Sequence, residues 1–309
     1  MAQSAALLRI GTRGSPLALK QADEFRARFA AAHGLNVDAI EIRAIRTTGD
    51  AIGERPLAQI GGKGLFTKEI DQALIDNAID VAVHSAKDMP GSIPPGLAIA
   101  AYLPREDARD AFISRKATSL RELARGAVMG TASPRRKALA LRLRPDLDVV
   151  SLRGNVNTRL AKIAVGTVDA TLLAMAGLKR LGLADTVASV LEVEEFLPAI
   201  GQGAIAVVAR GNDVRTQDRL AAISDVDTVA ALAAERAFLM VLEGSCRTPI
   251  AGHAAVKGKT LQFHGLVLRP DGSEAFEVRR NGTFAEAAAL GADAGQEIKG
   301  RIPADFFGT

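Results

Sequence analysis

The chain contains one cysteine, Cys246, in the run Gly-Ser-Cys-Arg-Thr-Pro between a helix-like and a strand-like stretch. A turn exposes a thiol better than a helix interior does, and Arg247 beside it favours the thiolate. Such a thiol forms a covalent intermediate or anchors a cofactor. A small buried hydrophobe is the plainer explanation of a lone cysteine. No histidine beside it supplies a base, and the spacing of His33, His84, His253 and His264 makes no metal site with one cysteine.

Asp88 is the second candidate. It follows the apolar run Asp80–His84 in the exit loop Ser85-Ala86-Lys87-Asp88-Met89-Pro90. A carboxylate there accepts a hydrogen bond from an N–H, moves a proton or steadies a cation, and Lys87 offers a site for an acid. A surface turn competes with that account, and His84 reads as a structural histidine pointing back into the fold.

Arginines recur where strand-like runs end: Arg13 in Thr-Arg-Gly-Ser-Pro, Arg135 and Arg136 after Ser133-Pro134, and Arg153 in Leu-Arg-Gly-Asn. The planar guanidinium matches carboxylate or phosphate oxygens in pairs. Helix starts at Ser15-Pro16 and Ser133-Pro134 add backbone N–H donors for the same anion. Solvated charge and ordinary capping explain any one of these; their recurrence points to an acidic ligand. Gly61-Gly62-Lys63-Gly64 lacks the full phosphate-loop pattern, and no dinucleotide fingerprint follows the first strand. Lys63 is instead a cation on a glycine-rich loop.

Alternating strands and helices must position these groups. Strands are expected at Leu7–Gly11, Asp38–Thr47, Asp80–His84, Ala127–Gly130, Val149–Leu152, Asp169–Leu173 and Ala204–Ala209. Helices are expected from Pro16, around Leu65–Leu74, from Arg135, and over Val156–Val165 and Ala174–Leu181. Gly-Thr followed by Ser-Pro occurs at Gly11–Pro16 and again at Gly130–Pro134, which suggests two similar folds. Near Asp225 the pattern changes. A helix capped by Asp227 runs to Leu242, and strands Ile250–Val256, Leu261–Leu268 and Ala275–Arg279 follow. The turn Arg269-Pro270-Asp271-Gly272 joins the last two strands, and a final helix spans Phe284–Ile298. The 309 residues thus divide into two α/β domains and a small α+β domain.

The net charge of +4 specifies no partner, and with no Trp and one Tyr there is little to stack on nucleic-acid bases. A single cysteine excludes an intramolecular disulfide. The first residues lack the basic start and apolar run of a secretory signal, and charges or turns interrupt every apolar stretch. Neither nucleic acid nor membrane is expected as a partner, and a cytoplasmic location is.

In order along nearly the whole chain, several segments resemble the porphobilinogen deaminase family. They are Ile10–Leu19 (IGTRGSPLAL), Gly61–Phe66 (GGKGLF), Val83–Pro90 (VHSAKDMP), Gly130–Arg136 (GTASPRR), Ser151–Leu160 (SLRGNVNTRL), Leu197–Gly203 (LPAIGQG) and Leu242–Cys246 (LEGSC). The resemblance implies two α/β domains like those of periplasmic binding proteins, with the active cleft between them, and a small α+β domain. The boundaries it suggests are 1–103 with 203–221, 104–202, and 222–309, the last presenting the cysteine. It implies a dipyrromethane cofactor held on Cys246 by a thioether, onto which four porphobilinogen molecules add head to tail with loss of ammonia. Hydrolysis then releases the linear tetrapyrrole hydroxymethylbilane. Asp88 matches the family's catalytic aspartate. Cofactor contacts fall to Lys87, Ser85, Thr131, Ser133, Arg135, Arg136 and Arg153. Substrate contacts fall to Arg13, Ser15, Arg153, Arg159, Arg180 and Gln202, with Lys63 on its loop. A monomer without an obligate protein partner is implied. A non-catalytic, bilobal anion-binding protein is the alternative. Gln59, where many relatives carry Lys, Pro134 and Arg247 depart from common family choices.

Overall fold

Two serines start two matching strand-to-helix turns. The Ser15 hydroxyl accepts from the Ala18 N–H at 3.3 Å and Ser133 from the Arg136 N–H at 3.4 Å, each with a proline at the first helical position. Both serines thereby satisfy a donor that the helix itself leaves open. The structure, a computed structural model, describes residues 6–51, 66–244, 248–303 and 305–306. The Gly61–Gly64 segment with Lys63, and Cys246 with its two neighbours, lie outside the described residues.

The elements run β1 (Leu8–Arg13), α1 (Pro16–His33), β2 (Ile40–Ile45), α2 (Thr48–Ala51), α3 (Lys68–Ile75), β3 (Val81–Ser85), β4 (Leu97–Tyr102) and β5 (Asp110–Ser114). Next come β6 (Val128–Gly130), α4 (Pro134–Leu143), β7 (Asp148–Val150), α5 (Val156–Ala164), β8 (Ala170–Ala174), α6 (Met175–Arg180), β9 (Ser189–Leu191) and β10 (Ile205–Arg210). The chain finishes with α7 (Val214–Ala221), α8 (Val226–Val241), β11 (Ile250–Lys257), β12 (Thr260–Leu268), β13 (Ala275–Thr283) and α9 (Ala287–Arg301).

Two five-stranded sheets share one plan: β2-β1-β3-β10-β4 and β7-β6-β8-β5-β9. In each, the first strand lies parallel between the second and third, and the last two strands are antiparallel. The likeness suggested by the repeated Gly-Thr and Ser-Pro segments thus extends to strand order. One compact unit joins the chain up to Glu106 with Ala204–Val229, so β10 enters the first sheet from far along the sequence. Its core packs Phe25 and Phe29 of α1 against Ile10, Val81, Val83 and Val207.

The other unit joins Asp107–Gly203 with the chain from Ala230 onward. Here the antiparallel sheet β11-β12-β13 carries α9 on it. Leu268 of β12 is buried in the same core as Phe112, Met129, Leu139 and Phe196, which accounts for one unit holding both sheets. Buried Glu235 of α8 fastens them further, accepting from the Gly201 N–H at 2.7 Å and the Ala254 N–H at 2.8 Å.

Some expectations differ from the structure. Strands β4, β5 and β9 were not anticipated. The cap of α8 is Asp225, not Asp227: its carboxylate accepts from the Thr228 N–H at 2.8 Å and the Thr228 hydroxyl at 2.6 Å. Asp225 stands three residues before that N–H, the spacing a capping side chain requires.

Candidate functional site

Strand β1 ends at Arg13 and strand β3 at Ser85, and the strands are parallel neighbours. Their exits therefore open at the same edge of the first sheet, as ligand sites in such sheets do. A short turn of helix, Ala86–Asp88, follows Ser85 and carries Lys87 and Asp88. Asp88 lines a small pocket with Arg13, Ser15, Phe66, His84 and Ser85. Asp88 is exposed; Lys87 is half-buried at the same turn.

Arg13 is held on two sides. Its Nε donates to Asp50 at 3.1 Å, its Nη2 pairs with the same carboxylate, and its guanidinium lies 4.2 Å from the centre of the Phe66 ring. Burial works against the charge on Asp50, but hydrogen bonds from Arg13 and Thr47 outweigh it and keep the carboxyl below its usual range. Ser85 meets the Gln21 side-chain amide at 2.9 Å.

His84 is buried at 5% exposure, and its Nε2 has no hydrogen-bond partner among the described residues. Burial, aided by the charge on Arg13, draws its pKa down to about 4, so the imidazole is neutral near pH 7. The structural histidine expected here is buried as foreseen but lacks the hydrogen bond that such a role brings.

In the second unit, Thr131 is buried and its hydroxyl accepts from the Ser133 N–H at 3.1 Å, so β6 leads into α4 through two side-chain hydroxyls. Arg135 and Arg136 do not face solvent. At 4% and 6% exposure they close on buried Asp110 of β5, Arg135 through Nη2 at 2.8 Å and Arg136 through Nε at 2.9 Å and Nη2 at 2.6 Å. Arg135 also donates to the Leu197 carbonyl and Arg136 to that of Leu172, each at 2.8 Å. The carboxylate that fixes both belongs to the chain itself. Gln202 joins the same network. It is fully buried, donating to the Ala108 carbonyl at 2.7 Å and approaching Asp110 at 3.2 Å, so it belongs to this network. Asp110 was missed in the sequence; a charge heading an otherwise apolar strand, Asp-Ala-Phe-Ile-Ser, was its signal.

The remaining arginines lie nearer the surface. Arg153 is half-buried, with its Nε shielded from water and unpartnered among the described residues. Gly154 after it has φ +111°, and a Cβ there would come within 2.7 Å of Thr158, so only glycine makes this turn into α5 without displacement. Arg159 donates through Nε to the Gly154 carbonyl at 2.9 Å, and Arg180 reaches the Gly203 carbonyl with two nitrogens at 3.2 Å. Lys63 and Cys246 lie outside the described residues.

In the first unit Arg13 and Lys87 can meet acids while Asp88 can accept from a pyrrole N–H. In the second unit the shielded Arg153 Nε, unpartnered among the described residues, can meet an acid. A dipyrromethane has both kinds of group, and these residues fit it. Among the described residues no cluster of His, Cys, Asp and Glu could hold a metal ion, and no helix is long and apolar enough to cross a membrane.

Fold and site together define a mixed α/β protein with Arg13 and Asp88 gathered where strands β1 and β3 end. Comparison with known proteins is specific. Residues 8–218 match the family domain described as "Porphobilinogen deaminase, dipyromethane cofactor binding domain", and residues 229–300 match "Porphobilinogen deaminase, C-terminal domain". A porphobilinogen deaminase of Nitrobacter winogradskyi is 58% identical over 97% of this chain and 95% of its own length. One of Paracoccus denitrificans is 55% identical over 97% and 96%. The chain belongs to the porphobilinogen deaminase family. Among solved structures, a periplasmic substrate-binding protein of an ABC transporter from Coxiella burnetii is 16% identical over 74% of this chain and 97% of its own, at a TM-score of 0.44.

Proposed function

We propose that the chain joins four porphobilinogen molecules head to tail into hydroxymethylbilane, releasing one ammonia at each addition, as a hydroxymethylbilane synthase of tetrapyrrole biosynthesis. The observation that carries this reading is the Asp88 pocket: one carboxylate beside an arginine and two serine hydroxyls, inside the segment matching the cofactor-binding domain. A dipyrromethane joined to Cys246 by a thioether supplies, when bound, the pyrrole carbon that accepts the first unit.

Asp88 accepts the pyrrole N–H of an incoming porphobilinogen, assists proton delivery to its departing amine and steadies the cation left behind. Arg13, Lys87 and Arg153 take the acetate and propionate groups. Ser15, Ser85, Thr131 and Ser133 shape the strand exits as shorter polar groups, and Arg159, Arg180 and Lys63 add positive charge as the chain of acids lengthens. Arg135 and Arg136 take cofactor acids and Gln202 a polar group of the substrate, each held in place by the network around Asp110. Water finally releases the product. The reading includes three domains, 1–103 with 203–221, 104–202, and 222–309, a cytoplasmic location and a monomer.

Asp88→Asn tests it. The variant should unfold at the wild-type midpoint and lose about a hundredfold or more in turnover, the scale of a removed electrostatic stabiliser. Near-normal turnover would remove Asp88 from the mechanism.

A further inference from the structure

Strand β3 buries Val81, Ala82 and Val83 completely or nearly so. His84 comes next, 5% exposed, with Nε2 shielded from water and without a hydrogen-bond partner among the described residues. A buried polar atom left without a partner costs about 1–3 kcal/mol, so folding alone gives no reason for an imidazole at this position. The side chain lines the pocket that also holds Arg13, Ser15, Ser85 and Asp88. An orphaned polar atom in a polar pocket is completed by what enters the pocket.

We propose that His84 is a substrate-binding and positioning residue, an uncharged donor that hydrogen-bonds a carboxylate of the incoming pyrrole unit and sets that unit against Asp88. This deepens the function proposed above and rests on reading the pocket as the place of turnover. Neutrality suits the task. Arg13 already brings positive charge to the pocket, and an uncharged group adds no further repulsion toward the cation that Asp88 steadies. Each unit must also move on once joined. An uncharged imidazole N–H holds a carboxylate less tightly than a guanidinium or ammonium does, so it orients the acid without holding it against release. Gln21 and Ser85, which also line the pocket, hydrogen-bond each other, and Asp50 is engaged by Arg13.

Full-length holoenzyme carrying His84→Gln, His84→Phe or Asp88→Asn tests this through steady-state kinetics and thermal unfolding without added substrate. His84→Phe should raise KM for porphobilinogen about tenfold or more, the loss of one hydrogen bond to a carboxylate, with an unfolding midpoint at or above that of wild type. His84→Gln, which keeps an N–H donor, should stay within about threefold of the wild-type KM. An unchanged KM with a lowered midpoint in the Phe variant would overturn the proposal, as would equal KM values for Gln and Phe. If the Phe variant does not fold, the wild-type protein decides: in 15N-histidine spectra the His84 resonance should shift when porphobilinogen is added, and an unmoved resonance would overturn it. Normal turnover by Asp88→Asn would sink the reading of the pocket itself, whereas inactive Asp88→Asn beside wild-type-like His84 variants would sink only this inference.

Discussion

Arg135 Nη2 lies 2.8 Å from Asp110 Oδ2, with both side chains closed off from solvent. Arg136 takes the other oxygen, so one buried carboxylate serves two guanidinium groups. Burial works against the charge on Arg135, and Asp110 works for it. Removing the carboxylate would leave two cations facing each other in the core. Asp110→Asn should therefore cost about 3–5 kcal/mol of stability, the penalty for breaking a buried ion pair from one side. Urea unfolding of the purified variant measures it, and a loss below about 1 kcal/mol would mean the network contributes little.

Acid should destabilise the protein before its paired carboxylates titrate. The His84 pKa is drawn to about 4 by burial and by Arg13, whereas an unfolded histidine takes its proton near pH 6.5, about the ordinary value. Between those values the unfolded chain holds more protons, so stability falls as the pH falls. By pH 4.5 the loss from this group should reach about 2–3 kcal/mol. Asp50 and Asp80, held low against burial by Arg13 and Arg9, lose their contribution at more acid pH. Unfolding curves from pH 7 to 4.5 should be flatter for His84→Gln than for wild type. Identical slopes would contradict this.

Arg153 should matter to binding more than to folding, because its Nε is shielded yet makes no hydrogen bond among the described residues. Arg153→Gln is expected to keep the wild-type unfolding midpoint while porphobilinogen use falls about tenfold or more, the loss of one charge-assisted hydrogen bond. A lower midpoint with unchanged kinetics would make Arg153 structural.

Much of this architecture is legible in the sequence where chemistry is local. Ser15-Pro16 and Ser133-Pro134 announce helix starts because the capping bond spans three residues, and both are formed. The shared strand order of the two large sheets lies behind the repeated Gly-Thr and Ser-Pro segments. Local patterns fail where partners are distant. Strand β4, Leu-Ala-Ile-Ala-Ala-Tyr, carries little β-branched signal, and its place is fixed by β10, more than a hundred residues on. Arg135 and Arg136 read as ligand-binding forks because sequence gives the donor but not its acceptor. Asp110, 25 and 26 residues earlier, takes both. His84 reads as a satisfied core residue because burial is visible in its apolar neighbours and a missing partner is not.

The mass of the intact protein, recorded before and after brief exposure to porphobilinogen, tests the tethered-chain chemistry most directly. The reading predicts a protein heavier than its chain by two linked pyrrole units, mapped to the peptide containing Cys246. After exposure, a ladder should appear that rises by single pyrrole units. Active enzyme with an unmodified Cys246 and no ladder would contradict it.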